Sequence, residues 1–195
     1  MYLIRCIMRV SILKKRRRSG MKTLKRLAAL VLVGAMALSL AACGTSKKKV
    51  TAKEFKKIMK AADFDVAESE DEDDETVKQV WEATYTDGDS GVYIVYYLFD
   101  SKGDAKASFS ASYKDLEAEA DDELFNGDVE KKSWYFTADG EFDEDSEIMG
   151  GNMAGDWYIT CVVAEETLLV CYSTPDKSAK KVMKNALADL GYEFN

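Results

Sequence analysis

The sequence feature that most restricts folding is an uninterrupted run of apolar and small residues, Leu27–Leu40, near the start of the chain. Its 14 residues fall short of the roughly 20 that a permanent membrane-spanning helix needs. A short basic stretch with Lys22, Lys25 and Arg26 precedes the run, as in the basic end of a secretory signal peptide. We therefore expect residues 21–42 to be a signal peptide and to take no part in the folded domain.

The run ends in Leu40-Ala41-Ala42-Cys43, which resembles the lipobox of bacterial lipoproteins at every position. The resemblance implies cleavage between Ala42 and Cys43 and a diacylglyceryl group on the sulfur of Cys43, which makes membrane lipid a partner. More than one acyl chain gives stable membrane anchoring, whereas a single chain binds reversibly. The implied location is the outer face of the cytoplasmic membrane in a Gram-positive envelope, or a periplasm-facing membrane in a Gram-negative cell.

Residues 1–20 precede an already complete signal peptide and add a basic block, residues 14–18. Codons for Lys and Arg are purine-rich, and a purine-rich stretch shortly before an internal Met is what a translated ribosome-binding site would give. We interpret residues 1–20 as an upstream extension and Met21 as the true start. Residues 43–50 are then the lipid anchor and a short linker, and residues 51–195 have the length of a single domain.

Cleavage before Cys43 leaves 17 lysines against 35 acidic residues, so the mature net charge is −18. Such a chain repels phosphate groups, and we expect no binding to nucleic acid. The mature part has no arginine and the whole chain has no histidine, which excludes histidine-based nucleophiles, imidazole metal ligands and guanidinium forks. We therefore expect a protein that is not an enzyme and that holds no cofactor.

Residue periodicity predicts an α+β fold, with a mainly antiparallel sheet of about five or six strands and about three packed helices. The predicted helices begin at Thr51, with Glu54 completing a capping box, run from about Gly103 to Ala120, and run from near Thr174, with Pro175 in the first turn, to Gly191. The predicted strands are Gln79–Thr86, Val92–Phe99, Lys132–Ala138, a less regular stretch Glu147–Met153, Trp157–Val163 and Thr167–Tyr172.

Cys161 and Cys171 lie on the two arms of the last predicted hairpin. An odd-length loop such as Glu165-Glu166-Thr167 places them opposite each other and permits a disulfide, which export would allow. With Glu165-Glu166 alone as the turn, Cys161 faces Val170 and the two thiols point to opposite sides of the sheet. The sequence leaves both registers open.

Acidic clusters also suggest calcium, because Asp71, Asp73, Glu75 and Glu82 match ligand positions of an EF-hand loop. The match is weak, since Thr76 replaces the required glycine and Glu82 falls inside a predicted strand. A solvated charge run is the simpler interpretation of this predicted loop. Residues 139–145 form a second oxygen-rich segment, which we predict as a loop without better spacing.

These features predict a lipid-anchored extracytoplasmic binding or interaction module of the cell envelope. Its expected partner is an envelope protein, peptide or glycan. One alternative is a hydrolase of cell-wall glycan that uses two carboxyl groups as acid and base. A cleft that holds two carboxyl groups with shifted pKa values would favour that alternative. A second alternative is a calcium-responsive surface protein.

Overall fold

One antiparallel sheet of seven strands organises the protein in a computed structural model that describes residues 49–69, 74–148 and 151–194. The helices are α1 (Ala52–Ala61), α2 (Lys102–Asp121) and α3 (Lys177–Asp189). The strands are β1 (Asp65–Glu68), β2 (Val77–Asp87), β3 (Ser90–Phe99), β4 (Phe125–Lys131), β5 (Tyr135–Phe142), β6 (Glu147–Ile148), β7 (Gly151–Asn152), β8 (Gly155–Ala164) and β9 (Thr167–Ser173). The predicted α+β class is therefore confirmed, with more strands than the five or six that we expected.

The strand order across the sheet is β1-β2-β3-β9-β8-β5-β4, and β6 pairs with β7 in a separate hairpin. Strand β9 lies in the middle and all seven of its residues are buried. Its neighbour β3 alternates between two cores, with Ile94 and Tyr96 in one and Val95 and Tyr97 in the other. Strand β3 is therefore an interior strand covered on both sides, and its apolar residues have no solvated face to alternate with.

The two sides of the sheet carry different helices. Residues of α2, such as Phe109 and Leu116, belong to one core, and this side is called the α2 face. Residues of α1 and α3, such as Phe55 and Met183, belong to the other core, and this side is called the α1/α3 face. None of the helices in the described ranges is both long and apolar enough to cross a bilayer.

The start of α1 agrees with its sequence signals. Thr51 and Glu54 form the predicted capping box, with the Glu54 N–H donating to Thr51 Oγ1 at 3.2 Å and the Thr51 N–H donating to Glu54 Oε2 at 3.0 Å. Val50 and Phe55 are both buried in the same core. The Oη–H of Tyr96 on β3 donates to the carbonyl oxygen of Val50 at 3.0 Å, so the chain is fixed to the sheet before α1 begins.

Two predicted boundaries are wrong. Helix α3 begins at Lys177 rather than near Thr174, because the carboxylate of Asp176 caps it by accepting from the N–H groups of Ser178 and Ala179. Pro175 therefore precedes the cap instead of lying in the first turn. Strand β5 begins three residues later than predicted and continues to Phe142.

Candidate functional site

The α1/α3 face is covered by helices over only part of its width. Helix α1 contacts β1, β2 and β3, and α3 contacts β3 and β9. Beyond them, exposed acidic side chains of β4, β5 and β8 occupy the same side of the sheet. We call this surface the acidic half-face; its residues are Asp128, Glu130, Asp139, Glu141 and Asp156.

Strand alternation places these five side chains together. Along β5, Phe136, Ala138 and Phe142 are buried in the core of the α2 face. The intervening residues Asp139 and Glu141 must therefore point to the opposite side. Directly opposite partners in neighbouring strands share a side, which brings the other members of the half-face into the same surface by their pairing with β5.

Two pairs within the acidic half-face place like charges opposite each other. Asp128 of β4 is the cross-strand partner of Asp139, and Glu141 is the partner of Asp156. Like charges in directly opposite positions of a ladder destabilise the sheet. Repulsion within this surface therefore lowers the stability of the sheet, and the same carboxylates concentrate negative potential there.

Lysines neutralise only part of this charge. Lys180 of α3 contacts Asp139, with its Nζ 2.7 Å from Oδ2, and Lys132 contacts Glu130 at 3.2 Å. The Tyr135 Oη–H also donates to Glu130 at 3.1 Å, and desolvation together with this bond raises the pKa of Tyr135. The remaining three members, Asp128, Glu141 and Asp156, have no ion-pair partner among the described residues.

Helix α3 forms one border of the acidic half-face. The ring of Tyr158 on β8 lies beside Asp139, and the Nζ atoms of Lys180 and Lys184 lie 5.1 and 5.3 Å from its centroid. Cations at this distance are attracted to the face of an aromatic ring. The two lysines thus hold the helix against the edge of the acidic surface.

Sequence reasoning missed this surface in two places. Residues 125–131 were assigned to no predicted helix or strand, but they form β4. Residues 139–145 were expected to be a loop, yet Asp139 to Phe142 belong to β5. The period-two alternation of Phe136, Ala138, Gly140 and Phe142 could have identified the second of these segments as a strand. Strand β4 offers no such pattern, because every residue after Phe125 is exposed.

The disulfide between Cys161 and Cys171 is not formed. Glu165 and Glu166 alone make the turn, because Ala164 pairs with Thr167. Cys161 therefore faces Val170 and lies in the core of the α2 face, while Cys171 lies in the core of the α1/α3 face. Both cysteines are free, and burial raises the pKa of both thiols, so that they act as small apolar side chains.

Several predicted site residues lie outside the described residues: Leu40, Ala41, Ala42 and Cys43 of the lipobox, and the calcium candidates Asp71 and Asp73. The third candidate, Glu75, is exposed in a turn. The neighbouring Asp74 carboxylate accepts from the N–H and O–H groups of Thr76 at 2.8 and 2.7 Å. Among the residues that the structure describes, no three acidic or cysteine side chains are grouped to hold a metal ion. Calcium binding stays a prediction.

Two described carboxyl groups have raised pKa values. Burial raises the pKa of Asp115, with a further contribution from the charge of Glu119, and burial alone raises the pKa of Asp189. Asp115 belongs to α2 and Asp189 to α3, which pack on opposite faces of the sheet. These two groups therefore do not form the acid and base pair that a glycan hydrolase needs.

Comparisons with known proteins give no family. No family model and no curated protein matches the chain. One solved structure, the extracellular domain of PknH from Mycobacterium tuberculosis, aligns with 76% of this chain and 99% of its own length, at 9% identity and a TM-score of 0.40. This likeness is too weak to carry any argument about fold or function.

Proposed function

We propose that this protein is a lipid-anchored binding module on the outer face of the cytoplasmic membrane, and that its acidic half-face binds a cationic component of the cell envelope. The observation that carries the binding proposal is the exposed acidic surface of β4, β5 and β8, which lies on the α1/α3 face beside the part that is packed under helices. The anchor rests on the sequence, in which Leu40-Ala41-Ala42-Cys43 follows an apolar run of signal-peptide length.

The charges of the acidic half-face support a cationic partner. Three of its five carboxylates lack an ion-pair partner in the described ranges, and two like-charged pairs face each other across the ladder. A bound cation would relieve this repulsion, so that the protein gains stability when the partner binds. Complementary charges also accelerate association, and the mature net charge of −18 acts in the same direction.

Binding is tested with a hexalysine probe and the full chain in neutral detergent. We expect the triple substitution Asp128→Asn, Glu141→Gln and Asp156→Asn to weaken binding about tenfold at low salt. A control triple, Asp87→Asn, Asp89→Asn and Glu123→Gln, removes the same charge from exposed positions elsewhere, at the end of β2 and in two turns. Equal weakening by the two triples would show that net charge alone attracts the probe, and the binding proposal would be wrong.

The anchor is tested separately by mass spectrometry and membrane fractionation of the protein made in a bacterial host. Wild-type protein should begin at Cys43 with a diacylglyceryl group and sediment with membranes. Cys43→Ser should leave an unlipidated precursor, whereas the matched substitution Cys6→Ser, upstream of the expected start, should change neither mass nor location. A wild-type protein that starts elsewhere, or that carries no lipid, would contradict the anchor.

A further inference from the structure

The acidic half-face ends at an edge strand, β4. This strand pairs only with β5, and it is the last strand of the sheet on that side. All six residues after Phe125 are exposed, and Val129 is 40% exposed, the highest value among the large apolar side chains of the described residues. The strand is therefore accessible on both faces and along its outer edge.

The hydrogen-bond pattern shows which backbone groups are free at this edge. The Lys132 N–H donates to the Tyr135 carbonyl oxygen, and the Asp143 N–H donates to the Leu124 carbonyl oxygen, both at 2.8 Å. Bonding alternates along an antiparallel pair, so residues 126, 128 and 130 also bond to β5. The N–H and C=O groups of the residues between them point outward: Phe125, Gly127, Val129 and Lys131.

The strand at the opposite edge of the sheet, β1, is shorter than β4. Strand β1 has four residues, whereas β4 has seven. Natural proteins protect sheet edges by making them short or by placing charges on them. Strand β1 is short, but β4 is long. The acidic side chains of β4 lie on only one face, and its other face carries Gly127 and Val129.

We infer that β4 accepts an extended, basic segment of an envelope protein or peptide as an eighth, antiparallel strand of the sheet. This inference rests on the proposed function and names the form of its partner. Lys or Arg at alternate positions of that segment would lie beside Asp128 and Glu130 on the acidic half-face. The residues between them would lie beside Gly127 and Val129, and small or β-branched side chains fit this face.

Charge complementarity disfavours a second copy of this chain as the occupant. An antiparallel pairing of two β4 strands centred on Asp128 places that carboxylate against its own copy. The acidic half-faces of both copies would then be continuous, which adds like charges to a surface that already contains them. A basic segment removes this repulsion, because its side chains alternate with the same period of two residues.

The first test compares two seven-residue peptides of the same composition with the full chain in neutral detergent. One alternates lysine and valine, and the other has its lysines and valines in separate blocks. We expect the alternating peptide to bind about tenfold more tightly. Hydrogen exchange should slow at the amides of Gly127, Val129 and Lys131, whereas the exchange rates of Asn126, Asp128 and Glu130 should change little.

The second test removes backbone donors from the peptide while keeping all of its charges. In antiparallel addition, the peptide residues that bond to β4 are the valines, because directly opposite residues share a face. N-methylation of the valines should abolish binding, and N-methylation of the lysines should not. In the protein, Val129→Pro should weaken binding while its control Val129→Thr should not, because only proline lacks the outward donor.

The outcomes separate this inference from the proposed function. Equal binding of the alternating and block peptides, or of the two N-methylated peptides, would overturn strand addition. The proposed function would survive that result if the triple carboxylate variant still lost binding to hexalysine. Failure of every cationic probe to bind would overturn both strand addition and the proposed binding role of the acidic half-face. Dimers of the full chain whose β4 amides are protected from exchange would show that a second copy is the occupant.

Discussion

The two halves of the α1/α3 face belong to one sheet but differ in polarity and burial. The half under α1 and α3 is apolar, and Phe55, Met59, Ile94 and Met183 are completely buried there. The acidic half-face has no helix over it and keeps like charges opposite each other. The difference indicates that the first half supplies stability and that the second adds little to it, and substitutions in each half can test this division.

The largest effect is expected in the covered half, for Phe55→Ala. The ring of Phe55 is completely buried and stacks on Tyr96 with centroids 5.1 Å apart. Loss of such a ring leaves a cavity and should lower the free energy of unfolding by about 3–5 kcal/mol. Urea denaturation followed by tryptophan fluorescence measures this. The control Lys57→Ala, on the exposed side of α1, should change little, and similar losses for both variants would contradict the division.

A smaller loss is expected for Tyr96→Phe, which keeps the buried ring and removes its hydroxyl. The carbonyl oxygen of Val50 then loses a buried donor at 3.0 Å, which should cost about 1–2 kcal/mol. Tyr85→Phe is a matched control on the same half, because no hydrogen bond involves its hydroxyl in the described residues. Equal stabilities of the two variants would show that the linker contact contributes nothing.

The acidic half should respond in the opposite direction. Asp128→Asn removes one member of a like-charged pair and should raise the free energy of unfolding by about 0.2–1 kcal/mol. The gain should shrink as salt screens the repulsion. Asp65→Asn on β1 is the control, since Thr84 rather than a carboxylate lies opposite. A loss of stability at Asp128 would mean that this half also serves the fold.

The smallest effect concerns Asp176, which caps α3 at the border of the two halves. Hydrogen bonds from Thr174 and from the N–H of Ala179 lower the pKa of Asp176 from 3.8 to about 2. Its contribution to stability is therefore present above about pH 4 and is lost as the pH falls through about 2. Thermal melts should show a wild-type advantage over Asp176→Asn at neutral pH that disappears near pH 2. A difference in melting temperature that stays constant from neutral pH to pH 2 would refute this role of the Asp176 carboxylate.

The sequence predicted the elements that bury apolar side chains and missed those that do not. The pattern of Val92–Phe99 identified β3 because its burial on both sides requires apolar residues throughout. Strand β4 contains Asn126, Gly127 and Asp128, and such residues are depleted in strands. It forms because β5 supplies a pairing partner, which is a long-range condition that a local pattern does not carry.

The same limit applies to the candidate site. Asp139 and Glu141 were recognised as part of an acidic segment, but their common side depends on whether that segment is a loop or a strand. The relative orientation of the Cys161 and Cys171 side chains depended on the number of residues in the turn between their strands. For the two cysteines, a change of one residue in register moves a side chain to the other face of the sheet, and the sequence did not determine that register.

The attachment of Val50 to Tyr96 gives the protein a defined path for mechanical force. A pull from the residues before Lys49 first reaches the ion pair between Lys49 and Glu166, at 2.8 Å, and then the Tyr96 hydrogen bond. Tension therefore enters interior strand β3 and the β8–β9 turn before it reaches α1. If the proposed anchor at Cys43 holds the chain to a membrane, a pull on the linker would be resisted first by the sheet rather than by the first turn of α1.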